Sequence, residues 1–207
     1  SGQTGGNRNG VLAQSISESD SASKRPSGYS STFYDTQGRK YDLQAGTVTL
    51  AIDLFVPSSS TGRLAGLWAT AFDSNNVVSK YPIIEFAKTT SASNGTFRIW
   101  KDTAWEEVGG FTNENQWYRI GFSLVGNSLQ YYVNNSLVFT DTSVNGSLGF
   151  GNVILQGHNA GSNYTIYWDN LSASAVAVPE PSTLVGGTMA AMLGLGLVWR
   201  RRRASAI

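Results

Sequence analysis

WYRIGFSLVGNSLQYYVNNSLVF, residues 117–139, is the stretch whose pattern decides the fold. Three runs of strand-forming residues, WYRIGFSLV (117–125), SLQYYV (128–133) and SLVFTD (136–141), are separated only by Gly126-Asn127 and Asn134-Asn135. Two-residue connections between antiparallel strands need residues that tolerate positive φ, and Gly and Asn do. Side chains alternate faces along a strand, so Ile120, Phe122 and Tyr131 share one face while Arg119 and Tyr132 project from the other.

Working outward, TVTLAIDLFVP (47–57) places Val48, Leu50, Ile52, Leu54 and Val56 on one face at period two, and Pro57 ends the run. RLAGLWATAFD (63–73), YPIIEFAK (81–88), TFRIWK (96–101), NVILQGH (152–158) and TIYWDNLSASA (165–175) are further strands. No stretch before residue 182 has a 3.6-residue apolar period. Eight or nine antiparallel strands close as two packed sheets, so the fold class is all-β, a two-sheet sandwich. Residues 1–46, rich in Ser, Gly, Asn and Thr, read as an N-terminal segment in which Val11, Leu12 and Ile16 make one short strand, and SESDSASKRPSGYSS as an exposed loop. The sandwich is expected over 47–176.

Composition narrows the function. The chain has 207 residues, no cysteine, 41% hydrophobic and 14% charged residues. Disulfide scaffolds, thiolate zinc sites and cysteine nucleophiles are excluded. The formal charge of +1 conceals an asymmetry, because Arg200, Arg201, Arg202 and Arg203 supply four of the fifteen basic residues. Residues 1–181 carry eleven basic against fourteen acidic side chains, so the folded part lacks the basic face that nucleic acid requires.

Trp117–Phe139 resembles the strand–turn–strand–turn core of laminin-G and concanavalin A-like jelly rolls. IYWDNLSAS (166–174) looks like the closing strand of such domains, which pairs back near the N-terminus. The resemblance implies a jelly roll and leaves function open, since lectins, glucanases and adhesive modules share the architecture. It also makes Asp169, on the closing strand, the candidate for a structural calcium; no other cofactor is expected.

The tail carries a second pattern. Leu184–Trp199 is 16 residues without a charge, about 24 Å as a helix against a ~30 Å hydrocarbon core. Trp199 stands at the expected interface, and the four arginines after it resist translocation. A transmembrane helix is therefore expected over 184–199, with a cytoplasmic basic tail over 200–207. Residues 177–183, which include Pro179 and Pro181, form an extended linker, because proline fixes φ and lacks an N–H. Pro179-Glu180-Pro181, a short apolar helix and a terminal arginine cluster resemble the PEP-CTERM sorting signal of Gram-negative bacteria. That resemblance implies export, an inner-membrane-anchored precursor, processing by exosortase, and final residence at the cell surface or in an extracellular polysaccharide matrix or biofilm. The polar opening SGQTGGNRNG suggests that a secretory signal and a first strand belong upstream.

Chemistry is sparse. A glycosidase needs two carboxylates facing one cleft. Glucanases of this fold use Glu-x-Asp-x-x-Glu; Glu18-Ser19-Asp20 begins such a run, but Ser23 occupies the last position. Glu106 and Glu107 are adjacent and point to opposite faces of a strand. His158, the single histidine, reads as a strand-end residue without a nucleophile elbow. The domain is thus expected to be non-enzymatic. Sugars stack their C–H faces on exposed rings, and Trp100, Trp105, Arg119 and Tyr132 are the candidates for one shallow glycan-binding patch. The competing expectation is that Trp68, Trp117 and Trp168 fill the core and that Trp100 and Trp105 merely cover a sheet edge. A purely structural matrix protein and a divergent glycoside hydrolase or lyase are the alternatives. Replacing Arg200–Arg203 by glutamates is expected to disturb tail topology and sorting while leaving the sandwich folded, which fractionation of the expressing cell will show; normal surface delivery would count against this account of the tail.

Overall fold

A strand with one apolar face needs a second apolar face to cover it. In the computed structural model twelve strands meet that need, and the described residues contain no helix. The structure describes residue 8 and residues 10–17, 36–56, 62–88, 94–158 and 163–175. In chain order the strands are β1 (Leu12–Ile16), β2 (Thr36–Val56), β3 (Gly62–Phe72), β4 (Val78–Lys80), β5 (Ile83–Lys88) and β6 (Gly95–Lys101). Then follow β7 (Ala104–Thr112), β8 (Gln116–Val125), β9 (Ser128–Val133), β10 (Ser136–Asp141), β11 (Gly149–His158) and β12 (Tyr164–Ala175).

All the pairings are antiparallel, and they resolve into two six-stranded layers that share β2. Sheet I runs β10-β9-β8-β2-β12-β1, and sheet II runs β2-β11-β3-β5-β6-β7, with β4 added alongside β3. At ~3.3 Å per residue, the 21 residues of β2 are far too long for one layer. The strand divides its work. Residues 36–47 pair with β11 in sheet II, and residues 49–56 pair with β8 in sheet I. Gly46, at φ 77°, stands at the hand-over, in a conformation that L side chains rarely adopt.

The core fills the gap between the layers. Leu50, Ile52, Leu54 and Val56 are at most 1% exposed, as period two requires, each adding about 1.5–3 kcal/mol of burial. Aromatic contacts tie the layers together: Phe97 of sheet II meets Tyr118 of sheet I at 5.2 Å, and Phe122 meets Phe150 at the same distance. Gln14 is a buried polar bridge. Its Oε1 accepts the Trp168 indole N–H at 2.9 Å, while Nε2 donates to the carbonyls of Gln37 and Leu155.

Several sequence expectations hold. Gly126, Asn134 and Asn135 have positive φ in the two short turns, and β12 pairs back onto β1. His158 is the last residue of β11. The boundary expected at residue 47 moves, however. Residues 12–16 and 36–46 are strands of the sandwich, which is part of a compact unit ending at Ala175. Two strands, β4 and β7, were not anticipated. The segments expected as linker, membrane helix and basic tail lie outside the described residues.

Gly121 tests the packing, because a Cβ there would sit 2.4 Å from the Leu50 carbonyl oxygen and 2.8 Å from the Ala51 Cβ. Gly121→Ala is expected to cost about 1–3 kcal/mol, lowering the melting temperature by roughly 2–4 °C per kcal/mol. Gly126→Asn, at φ 56° in open space, is expected to change stability by no more than ~0.5 kcal/mol. Thermal unfolding followed by circular dichroism separates the two.

Candidate functional site

Period two turns one set of side chains of each sheet away from the core. On sheet II the register Gln156↔Gly66↔Glu85↔Arg98↔Glu107 carries one row of residues across five strands. Glu85 is 0% exposed, and a buried carboxylate persists only when paired. Arg98 supplies the pairing, donating from Nε at 2.8 Å and from its terminal nitrogen at 2.6 Å to Glu85 Oε1. Gln156 Nε2 donates to Oε2 at 3.0 Å. A Cβ on Gly66 would lie 2.7 Å from Glu85 Cβ and 3.0 Å from Gln156 Nε2, so the row closes only over glycine.

Beside this row lie Trp100 and Trp105, directly opposed across the β6–β7 hairpin. Their rings meet edge to face at 5.3 Å, and the Arg98 guanidinium stacks 4.2 Å from the Trp105 ring centre. Next along β3 and β11 are Trp68, opposite Ile154, and Thr70, opposite Asn152. Four polar atoms of this region, Trp68 Nε1, Thr70 Oγ1, Asn152 Oδ1 and Gln156 Oε1, are buried and form no hydrogen bond.

The outer face of sheet I is built differently. One row is aromatic, Tyr167↔Phe55↔Trp117, with Phe55 5.5 Å from Trp117 and 6.3 Å from Tyr167. The next is charged, Asp169↔Asp53↔Arg119. Arg8 reaches this face, donating to Asp53 at 2.6 Å and Asp169 at 3.1 Å while its guanidinium lies 4.3 Å from the Trp117 ring centre. Burial would raise the Asp53 carboxyl, but hydrogen bonds from Arg8, Asn170 and Arg119 outweigh it and hold the group below the usual carboxylate range. Arg119 also donates to the Asn170 carbonyl and Ser172 Oγ. A shallow groove of about 270 Å³ follows, lined in part by Thr49, Ala51, Gly121, Tyr132 and Asn135.

The four residues expected to form one glycan-binding patch are therefore divided. Trp100 and Trp105 meet on sheet II, whereas Arg119 and Tyr132 share the groove on sheet I, on the opposite side of the sandwich. The expected core role holds for Trp168, which is 1% exposed; Trp68 and Trp117 lie on the two outer faces. At Asp169, the calcium candidate, the neighbouring cation is the Arg8 guanidinium, and Oδ1 accepts the Asn170 N–H. Among the described residues no group of three His, Asp or Glu side chains gathers to hold a metal. Glu106 and Glu107 pair opposite Ile99 and Arg98, on the two faces of β7. Glu18, Asp20, Pro179–Pro181 and Trp199–Arg203 lie outside the described residues. Sequence reasoning missed Glu85, Arg98 and Gln156; alternation from Phe97 and Ile99 was the available signal for Arg98.

At the edge where β7 and β10 approach, Lys80 is enclosed by Asp141 at 2.7 Å, Asp102 at 2.9 Å and the Ser143 carbonyl at 2.8 Å. Burial works against both charges, yet pairing wins, raising Lys80 and lowering Asp141.

Residues 177–203 match the PEP-CTERM protein-sorting motif, the signal of exported, membrane-processed proteins. The sequence matches no curated protein. Among solved structures the chain is similar to a sialidase, with TM-score 0.50 and 12% identity over 70% of this chain and 15% of that one. It thus spans only about 15% of the sialidase's length. It is also similar to the carbohydrate-binding module CBM66 from Bacillus subtilis (TM-score 0.41, 14% identity, 66% of this chain and 78% of that one). A tetrameric galectin from the ball sponge Cinachyrella sp. is a further neighbour (TM-score 0.45, 11% identity, 66% of this chain and 99% of that one). The fold class is a jelly-roll β-sandwich.

The ion pairs fix a pH profile. Asp53 and Asp141 have lowered carboxyls, so their stabilisation is complete well above an unfolded value of ~3.9 and is lost as pH falls through the folded one. Lys80 is raised, so its share is complete below an unfolded value of ~10.4 and is lost as pH rises through the folded one. The melting temperature is expected to form a plateau that falls away on the acid side below about pH 4 and on the alkaline side above about pH 10. Asp141→Asn is expected to lower neutral-pH stability by ~1.5–3 kcal/mol and to flatten the acid limb, read by melts across pH.

Proposed function

We propose that the domain is a non-catalytic module that contacts polysaccharide through the outer face of sheet II. It belongs to a protein that a Gram-negative bacterium exports, holds as an inner-membrane precursor, and releases through an exosortase-type enzyme to the cell surface or matrix. The observation that carries the carbohydrate reading is the Trp100–Trp105 pair, an edge-to-face aromatic step on an outward face with Arg98 fixed against it. A sugar offers an apolar C–H face to such rings and hydroxyls to a planar donor. Arg98 is pre-oriented by Glu85, so little rotamer freedom is lost when it binds. Arg119 and Tyr132 leave the candidate set, because Arg119 is committed to Asp53, Asn170 and Ser172, and the Tyr132 hydroxyl donates to Gln130.

The non-catalytic reading is supported by the same row. General acid–base work needs a carboxyl free to exchange a proton with substrate, whereas both Glu85 oxygens already accept hydrogen bonds from Arg98 and Gln156.

Affinity electrophoresis through exopolysaccharide tests the proposal. The wild-type chain is expected to be retarded, and Trp100→Ala and Trp105→Ala are each expected to weaken retention at least tenfold, about 1.4 kcal/mol. Unchanged mobility of both variants would sink it in favour of a purely structural protein. Release of reducing sugar from the same polymer would favour the hydrolase or lyase alternative; none is expected.

A further inference from the structure

The strand registers decide which residues share an end of the sandwich. β12 closes with Ala175 opposite Thr47, and Thr47 also stands opposite Phe150 in β11. Gly149 opposes Phe72, the last residue of β3, and Thr49 opposes Ser123 near the end of β8. One end therefore gathers the β3–β4 connection, the segment leading into β11, the β8–β9 turn and the point where the chain leaves the sheet toward residues 177–203.

That end is apolar. Nine large hydrophobic side chains are exposed among the described residues, and five of them, Val77, Val78, Tyr81, Val125 and Leu148, are on it. Leu148 is 63% exposed, and Val77 and Tyr81 are each 58% exposed. Backbone pairing holds three of the five on one rim: the Leu148 N–H donates to the Phe72 carbonyl, the Asp73 N–H donates to the Val77 carbonyl, and Val78 stands opposite Phe72. A hydrogen bond of 2.8 Å between the Ser79 and Ser147 hydroxyls ties the two segments together. Exposed apolar groups gathered in one place mark an interaction surface. Charge offers no competing attraction there, because Lys80 is engaged by Asp102 and Asp141, Lys101 by Glu106, and Asp73 accepts the N–H groups of Asn75 and Val77. Aliphatic side chains with one tyrosine suit the boundary between lipid headgroups and acyl chains.

The chain exit selects the occupant. Residues 176–183 lead from Ala175 to the uncharged run that begins at Leu184, and eight residues span at most about 29 Å when fully extended. A domain tethered so briefly by this end stays within that distance of the bilayer in which its tail is held. We infer that the rim of Val77, Val78 and Leu148, flanked by Tyr81 and Val125, seats on the phospholipid bilayer while the tail is embedded. The inference rests on the reading of the chain as a membrane-held precursor and adds the surface by which the domain itself touches lipid.

The chain has no cysteine, so one introduced cysteine takes a nitroxide spin label at a single site. The full chain is reconstituted in phosphatidylethanolamine–phosphatidylglycerol liposomes with the label at Val77→Cys, Leu148→Cys, Gln116→Cys or Leu193→Cys. Gln116, exposed opposite Val56 at the other end of the sandwich, is the distal comparison, and Leu193 reports whether the tail is embedded. Collision with a water-soluble nickel chelate is expected to be roughly fivefold lower at positions 77 and 148 than at 116, while collision with oxygen, which dissolves in lipid, is retained. About 1 M sodium chloride, which screens charge beyond ~3 Å, is expected to leave that protection in place. An embedded label at 193 with 77 and 148 as open to the chelate as 116 would overturn the inference and leave the membrane-held reading standing. A label at 193 open to the chelate would overturn both. Protection at 77 and 148 that disappears on dilution into excess lipid would overturn it in favour of a second copy as the occupant, and protection lost in salt would overturn the apolar contact.

Discussion

The sandwich depends on one strand serving two sheets. β2 gives residues 36–47 to sheet II and residues 49–56 to sheet I, and Gly46 absorbs the change of direction with a positive φ. Because the second half keeps strict alternation, Leu50, Ile52, Leu54 and Val56 face inward while Asp53 and Phe55 face outward. That phase fixes the partners on sheet I through the ladder, so that Arg119 opposes Asp53. On sheet II the first half of β2, beyond a register shift with β11, sets Gly38 opposite Gln156. A one-residue slip would exchange inside for outside, and the buried Gln14 bridge to Trp168, Gln37 and Leu155 opposes such a slip at the closing edge.

The two outer faces reach opposite electrostatic solutions. On sheet I, Arg8, Asp53, Arg119 and Asp169 complete one another, with Asn170 and Ser172 taking the remaining bonds. On sheet II the Glu85–Arg98 pair is held in the sheet beside the Trp100–Trp105 rings, and Glu107, next in the row, is exposed at the β7 edge.

How much of this was legible follows from particular residues. The turns at Gly126 and Asn134-Asn135, the second half of β2, and the return of β12 to β1 were all visible, because alternation and positive-φ residues are local signals. β7 was hidden because Gly109 and Gly110, at φ 76° and 70°, interrupt its alternation and shift the register with β6. The first half of β2 was hidden because its side chains from Gly38 to Tyr41 are mostly exposed and carry no apolar stripe. Trp68 was misassigned to the core for a related reason. β3 turns its smaller residues inward, Ala65, Ala69 and Ala71 with Leu67, and puts its largest ring outside. The partnership of Glu85, Arg98 and Gln156 joins β5, β6 and β11, residues as far as 71 apart in sequence, and no local pattern encodes it.

The placement of the terminal strands also governs how the domain would respond to tension. β1 and β12 are antiparallel neighbours, with Leu12 opposite Trp168 and Ile16 opposite Tyr164, so the start of one and the end of the other leave the sheet in the same direction. A pull applied to the two chain ends would therefore open the β1–β12 ladder rung by rung, like a zipper, instead of shearing all its bonds at once. The Arg8 clamp onto Asp53 and Asp169 sits just ahead of the first of those rungs, making it the latch that must give way before any unzipping begins.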